Sequence, residues 1–456
     1  MLKAITQRTL LFATCLLIAS SANAAEIHIY ESNGGSGLRS ALENLNPGDR
    51  LVIHDGHYEL GSGFQGNEDD LIKVGNGQLR GGPNRVTEII GIGDIRIRGN
   101  LQFFQSSYVR VSGLTIDGSF IRRDGSFYRN TSAGLWFLQC RNIDVLNNTV
   151  AYCGGGAIRF DHSDYINIDN NICHDTCDFN TDQHSAISIY QPIEMLSNND
   201  GRYWRIRVTR NTCYDNENVV PDRYGNITDG NGIILDDYKH TQRYISDGRR
   251  GLESIGERIS SSNYYGNHLR TLVEGNDCSF NGGSGIHAFL SANIFIKNNT
   301  CVGNVYHVFA GASQGRYYFQ NRGQISLSSS DRCLVVNNIM VSLFVDAAPN
   351  NSPYAASDRL GYRNFWTTNL AWSTNSAVNG QNGFNLFSLI SDGRINNGLY
   401  TEDPQLTNLF SGNFLPRSGR RQRDRKRGQA WSGHTYFAQN ATVSGGSRSD
   451  LGAYEQ

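Results

Sequence analysis

The 456-residue chain predicts an all-β fold: a single-stranded right-handed parallel β-helix with a short N-terminal capping helix and long inserted loops. Three observations predict it: a composition rich in glycine and asparagine, a recurring asparagine-led phrase, and a pair of short strands before most copies of that phrase. The chain has 50 glycines, 47 asparagines and 8 prolines, with 18% charged and 11% aromatic residues. Disorder would need more charge and fewer aromatics, a coiled coil more alanine, glutamate, lysine and leucine, and collagen a glycine at every third place. The length exceeds an ordinary domain two- to four-fold, so the chain holds several domains or one architecture that grows by repetition.

The N-terminus reads as a segment apart. Lys3 and Arg8 precede an apolar run from Leu10 to Ala19, and Ala22-Asn23-Ala24 supplies the small residues that a signal peptidase reads. Residues 1–24 are therefore expected to be a signal peptide and 25–456 one β-helix domain, secreted or periplasmic, with core coils at about 50–345 and terminal coils and a cap over 346–456. The apolar run is too short to span a bilayer, and no later stretch approaches the ~20 apolar residues a span needs, so membrane insertion is not expected. The mature chain carries 39 basic against 42 acidic residues. That balance gives no broadly basic surface, which argues against a nucleic-acid partner. A monomer is expected.

After the leader, Leu38 to Leu45 forms an amphipathic helix that stops at Asn46-Pro47-Gly48-Asp49 and leads into a strand, Arg50 to Ile53. A solenoid end needs such a cover. The repeated phrase then appears as Asn148-Thr149-Val150, Asn171-Ile172-Cys173, Asn211-Thr212-Cys213, Asn276-Asp277-Cys278, Asn299-Thr300-Cys301 and Asn338-Ile339-Met340. Two gaps are 23 residues and the others are 40, 65 and 39, so a coil is about 23 residues and the longer gaps carry loops. The third place holds Val, Cys, Cys, Cys, Cys and Met, the content of a buried apolar column, so these four cysteines are expected as stacked free thiols rather than disulfides. The asparagines are expected to form a ladder of side-chain amides along the stack.

Two strand families precede the phrases. One reads Ala157–Asp161, Ala186–Tyr190, Gly232–Asp236, Gly285–Phe289 and Gln324–Ser328; the other Tyr165–Ile168, Trp204–Val208, Thr271–Val273, Asn293–Ile296 and Cys333–Val336. Most alternate with period two. In the first family Ile158, Ile187, Ile233, Ile286 and Ile325, and then Phe160, Ile189, Leu235, Ala288 and Leu327, point inward. Two outward rows follow: Arg159, Ser188, Ile234, His287 and Ser326, and Asp161, Tyr190, Asp236, Phe289 and Ser328. Insertions at 175–183, 192–202 and 241–262 lie beside the same coils, where a cleft would be built on a rigid scaffold.

The segment Thr228-Asp229-Gly230-Asn231-Gly232-Ile233-Ile234-Leu235-Asp236-Asp237-Tyr238-Lys239-His240-Thr241-Gln242, with Asp182-Gln183-His184-Ser185-Ala186-Ile187-Ser188-Ile189-Tyr190-Gln191 and Gly285-Ile286-His287, resembles the β-helical polysaccharide lyases, most closely the alginate lyases of polysaccharide lyase family 31. Roughly residues 30 to 340 share the asparagine-rich solenoid, and these three segments carry the likeness at the site. The resemblance implies a lyase that cleaves alginate, poly-mannuronate in particular, with Lys239 as base and Tyr190 as acid.

Elementary chemistry is consistent with those roles. β-Elimination on a polyuronate removes the C5 proton α to a carboxylate and expels O4, so it needs a charge neutraliser, a base and an acid. A lysine is a base only when partly deprotonated, which burial beside other cations favours. Tyrosine donates a proton as a neutral phenol. Arg159, Gln183, His184, Gln191, Arg243 and His287 are candidates for binding the substrate, and Asp236 and Asp237 for orienting Lys239 or holding a cation; calcium is the cation considered, without a defined ligand set. Each also has an ordinary reading: an amphipathic surface tyrosine, a solvated lysine, an Arg159–Asp161 surface pair.

Three alternatives stay open. A glycoside hydrolase would use paired carboxylates, which Asp161, Asp236 and Asp237 supply, although the Gly-His-Gly and Arg-Ile-Lys motifs of the polygalacturonase relatives are not found. A uronan epimerase shares the proton abstraction, but its Asp-Pro-His motif is missing. A non-enzymatic carbohydrate-binding solenoid explains the ladders but not the convergence of Tyr, Lys, His and Asp beside long loops. Finally, Arg417 to Arg427 is densely basic, poor material for a packed cap, and reads either as a polyanion-binding patch or as a reading-frame change.

Overall fold

The computed structural model describes residues 24–61, 71–77, 79–121, 127–129, 132–195, 204–222, 227–240, 270–305, 323–343, 354–359, 361, 363–373, 384–385, 406–408 and 413–416. The leader through residue 23, Arg243, the 241–262 insertion, the Arg417 to Arg427 run and most of the terminal coils lie outside them.

Parallel strands stack coil on coil into a right-handed parallel β-helix. The sheet that carries the candidate site contains β1 (Leu135–Leu138), β2 (Ile158–Asp161), β3 (Ile187–Tyr190), β4 (Ile233–Asp236), β5 (Ile286–Phe289) and β6 (Gly323–Ser328). Each pairs in parallel with the next, and the register is the one the alternation requires: Ile158, Ile187, Ile233, Ile286 and Ile325 align, as do Asp161, Tyr190, Asp236, Phe289 and Ser328. A one-residue slip would turn every isoleucine outward, so burial of the inner column fixes the register. The strands begin and end within one residue of the sequence reading.

Two further ladders close each coil. One holds Asp164–Asp169, Ile206–Thr209, Thr271–Glu274 and Ile294–Lys297; the other holds the strands of the asparagine phrase, such as Ile172–His174 and Thr212–Tyr214. They merge into one sheet near the N-terminus because Thr87–Arg98 is long enough to pair with both Ser107–Ser112 and Thr115–Asp117. Between the ladders runs a dry core of isoleucine, valine and leucine with a phenylalanine stack, Phe103, Phe137 and Phe160, at centroid spacings of 4.6 and 4.4 Å.

The predicted cap exists but is displaced. Helix α1 spans Gly34–Glu43 instead of Leu38 to Leu45, burying Leu38 and Leu42. It starts earlier because Gly35 lies against the backbone of Glu59, an approach that a Cβ would block. It ends at Asn44, whose Nδ2 donates to the Ser40 carbonyl at 2.8 Å. The following strand runs on from Arg50 to Glu59.

The asparagine ladder is formed. Each Nδ2 donates to the next Oδ1 from Asn148 through Asn171, Asn211, Asn276, Asn299 and Asn338 to Asn369, at 2.9–3.0 Å. Asn369 extends it beyond the phrases read from sequence. A second ladder joins Asn216, Asn281, Asn304 and Gln324 at 2.8–2.9 Å. In the apolar column Val150, Cys173, Cys213, Cys278, Cys301 and Met340 stand in register. All eight described cysteines are free and buried.

Candidate active site

The outer face of β2, β3 and β4 is set by the turn that follows each strand. His162, Gln191 and Asp237 all adopt a left-handed backbone, with φ of 49°, 42° and 48°. A corner repeated at the same place in successive coils stacks the preceding residues Asp161, Tyr190 and Asp236 in one row. The coil beyond β2 is pinned by Ser163, whose Oγ accepts the Cys140 N–H at 2.9 Å.

Arg159 is held from three sides. Its Nε donates to Asp161 at 2.9 Å, its guanidinium lies 5.2 Å from the Trp136 ring centroid, and its Nη1 donates to the His184 ring with N···N separations of 3.3 and 3.5 Å. Asp161 also accepts the Trp136 indole N–H at 2.8 Å. Burial, then the Arg159 charge, holds His184 well below the usual imidazole range, so its ring is neutral and can accept from Arg159.

Tyr190 stands between Asp161 on the preceding coil and Asp236 on the following one, and keeps partial exposure. The His162 ring meets it edge-on at a centroid distance of 5.9 Å. Burial lowers the His162 pKa, opposed by the Asp161 charge and reinforced by His240 and Arg159. Asp236 keeps some exposed surface. Desolvation first, then Asp229, Asp237 and Asp161, push its pKa well above the carboxylate range, with Arg159 opposing. Asp229 is pushed up to about 7 by burial, against a hydrogen bond from Asn231.

Other predicted site residues are placed differently. Lys239 does not reach Tyr190: its Nζ donates to the Ser329 carbonyl at 2.6 Å and pairs with Asp331 at 2.5 Å. Tyr190 lies one coil before β4, and Ser329 follows β6, two coils beyond it, so the ammonium is held roughly 14 Å along the axis from Tyr190 at ~4.8 Å per coil. The Ser329 carbonyl and the Asp331 carboxylate pin the side chain there. Gln183 ties two loops together, accepting the Thr228 N–H at 2.9 Å and donating to the Val220 carbonyl at 2.8 Å. Gln191 is buried and donates to Asp237 at 2.8 Å, which braces the corner below Tyr190. His287 is buried, bonded through Nδ1 to the Ser326 carbonyl at 3.2 Å, and held at a pKa of about 4 by desolvation. Arg243 lies outside the described residues.

The structure therefore brings together Arg159, His184, Tyr190 and Asp236, and adds Trp136, His162 and Asp229. His162 was legible as the residue aligned with Gln191 and Asp237 at the corner, and Trp136 as the residue one coil before Arg159. Among the described residues no group of three His, Cys, Asp or Glu side chains is arranged to hold a metal ion, and no helix is long and apolar enough to cross a membrane.

No protein-family model and no curated protein matches the sequence. Solved structures similar to the chain include the A-module of the Azotobacter vinelandii mannuronan C-5 epimerase AlgE4, at 13% identity over 81% of this chain and 96% of that one, with a TM-score of 0.35. Pectate lyase Pel9A is similar at 12% identity over 95% and 96%, TM-score 0.37. An alginate lyase from Paenibacillus sp. str. FPU-7 is similar at 13% identity over 83% and 98%, TM-score 0.26. At such identities the site is read from this chain's own residues.

Proposed function

We propose that the protein is an exported lyase that cleaves an acidic uronate polymer, poly-mannuronate in particular, by β-elimination. The observation that carries the reading is the placement of Tyr190: a partly exposed phenol in line with Asp236, beside a guanidinium fixed by Asp161, Trp136 and His184. His184 and Tyr190 lie in one of the three sequence segments that resemble family 31 and Asp236 in another, while Arg159, Asp161 and Trp136 lie outside them.

In this reading Arg159 faces the uronate carboxylate and stabilises the enolate-like intermediate, an effect worth roughly 3 to 4 kcal/mol for a well-placed donor. Tyr190 carries both proton transfers. As phenolate it takes the C5 proton; the C4–O4 bond breaks as the C4–C5 double bond forms, and the phenol returns the proton to O4. One group serves both transfers only where the C5 hydrogen and O4 lie on the same ring face, which is the mannuronate configuration and not the guluronate one. Lys239, tied to Asp331, then holds the wall beside the site.

A hydrolase is the second reading, favoured by one observation. Asp161 and Asp236 are two coils apart, roughly 9–10 Å by strand spacing, near the ~6.5–9.5 Å of an inverting carboxyl pair, and Asp236 has the raised pKa of a general acid. Poly-mannuronate, poly-guluronate, pectate and glycosaminoglycans offered to the purified protein separate the two. The lyase reading expects ultraviolet absorbance from an unsaturated product, strongest on poly-mannuronate. Reducing ends without absorbance would establish the hydrolase, and epimerised polymer without chain cleavage an epimerase.

A further inference from the structure

The outer face that carries Tyr190 continues toward the N-terminus past β1. The strand Asn100–Phe104 pairs in parallel with β1, and Leu71–Lys73 pairs in parallel with Asn100–Phe104. Their register extends both outward rows: Lys73, Gln102, Trp136 and Arg159 align in one, and Phe104, Leu138, Asp161 and Tyr190 in the other. Lys73 thus stands three coils before Arg159, and Phe104 three coils before Tyr190, each roughly 14 Å along the axis at ~4.8 Å per coil. On the far side of Tyr190 the first row is buried, at Ile234, His287 and Ser326.

At the N-terminal end of these rows lies a pocket of about 400 Å³ lined by Lys73, Asn76, Gly77, Gln102 and Phe104. Lys73 and Asn76 are exposed, and Gln102 and Phe104 are half-buried. The backbone is left-handed at Gly75, Asn76 and Gly77, with φ of 58°, 50° and 83°, and this turn brings Asn76 and Gly77 to the pocket beside the end of the Lys73 strand. Among the described residues Lys73 pairs with no carboxylate, whereas Arg96, Arg98 and Arg110 on the adjoining sheet are each held by one. Between Lys73 and Arg159 the rows hold Gln102, Phe104, Trp136 and Leu138, an uncharged floor.

We infer that this pocket is a distal uronate subsite, in which Lys73 pairs with a carboxylate about three units along the polymer from the one that Arg159 faces, Gln102 and Asn76 bond ring hydroxyls, and Phe104 packs against the sugar. The inference rests on the reading of the ligand as a uronate polymer and adds a minimum chain length for tight binding. A 1,4-linked pyranose chain advances by about one ring per coil spacing, so a polymer whose reacting unit lies at Tyr190 reaches the pocket by following the accessible rows. Two cations fixed on one rigid sheet, with an uncharged floor between them, suit a chain that carries a charge on every ring. Once the first carboxylate is held, the second contact is intramolecular, and a chain long enough to span both gains affinity that a short one does not.

The test is calorimetric titration of saturated mannuronate disaccharide and octasaccharide into Tyr190→Phe protein, so that the ligand is not consumed. The quantity read is the ratio of the two affinities. Adding Lys73→Gln should lower that ratio ~3-fold, the loss of one exposed ion pair, and Lys73→Glu, which adds repulsion, ~10-fold. Arg207→Glu makes the same change of charge at an exposed site on another sheet and should leave the ratio as it was. Melting curves establish that each variant is folded. A ratio that survives Lys73→Glu, or that falls equally in Arg207→Glu, would overturn the subsite. A ratio that depends on Lys73 while wild type releases no unsaturated product would overturn the lyase reading alone; unsaturated product with a ratio indifferent to Lys73 would overturn this inference alone.

Discussion

The corner carrying the asparagine phrases and the outer face of β2 to β4 belong to the same coils but treat polar groups in opposite ways. At the asparagine corner each amide donates to the next coil and accepts from the one before, so the polar atoms are buried and satisfied, and their stacking repeats without variation. On the outer face successive coils place Arg159, Asp161, Tyr190 and Asp236 side by side, and desolvation moves pKa values there in both directions. A solenoid repeats its backbone without having to repeat its chemistry: the first region supplies stability, and the second uses that rigidity to hold unlike groups in register.

The sharpest way to break the first region is Asn276→Ala. Asn276 donates to Asn299 and the Val208 carbonyl and accepts from the Asn211 side chain and backbone N–H. Removing it orphans buried partners on two coils, for an expected loss of about 4 kcal/mol in denaturant unfolding. A loss below 1 kcal/mol would mean that the ladder is not what holds the coils.

His287→Gln, on β5 one coil beyond the second region, tests the continuation of that outer face through pH. A buried imidazole with a pKa of about 4 binds no proton where the unfolded chain, near 6.5, does. Its contribution is therefore complete above about 6.5 and is lost as pH falls toward 4. Asp229 works in the opposite direction: with its pKa raised to about 7 it favours the folded state at low pH and weakens it as pH rises from about 4 to 7. The variant should reduce the stability difference between pH 7 and pH 4 by about 2 kcal/mol relative to wild type; an unaltered difference would place the imidazole in water.

The smallest effect is expected at the thiol column. Cys278→Ala should lower stability by about 1 kcal/mol. The described cysteines are all buried and should resist a thiol reagent until the protein unfolds. Rapid labelling of the folded protein would contradict a dry column.

Much of the scaffold was legible because burial and period-two alternation act on every coil alike. The inner isoleucine column, the in-register cysteines and the asparagine ladder all follow from spacing. The cap was displaced because Gly35 acts through its approach to Glu59, a contact far along the chain that no local pattern signals. The site was legible only by row. Alternation placed Tyr190 and Asp236 together, but Lys239 lies past the corner, where side-chain reach decides, and Asp331, two coils on, captures it. Gln183 and Gln191 look like substrate ligands in sequence and turn out to brace loops and corners. His162 was legible by row, as the corner residue aligned with Gln191 and Asp237, but its role shows only with the Tyr190 ring beside it.

The most direct test is to assay Tyr190→Phe and Lys239→Ala side by side on poly-mannuronate, following the absorbance of the unsaturated product, with melting curves for both. The account predicts that Tyr190→Phe stays folded and loses at least ~10³-fold in turnover. Lys239→Ala should melt earlier, by about 1 to 2 kcal/mol for the broken pair with Asp331, while its folded fraction still turns over. Turnover retained in Tyr190→Phe, or abolished in a fully folded Lys239→Ala, would contradict it.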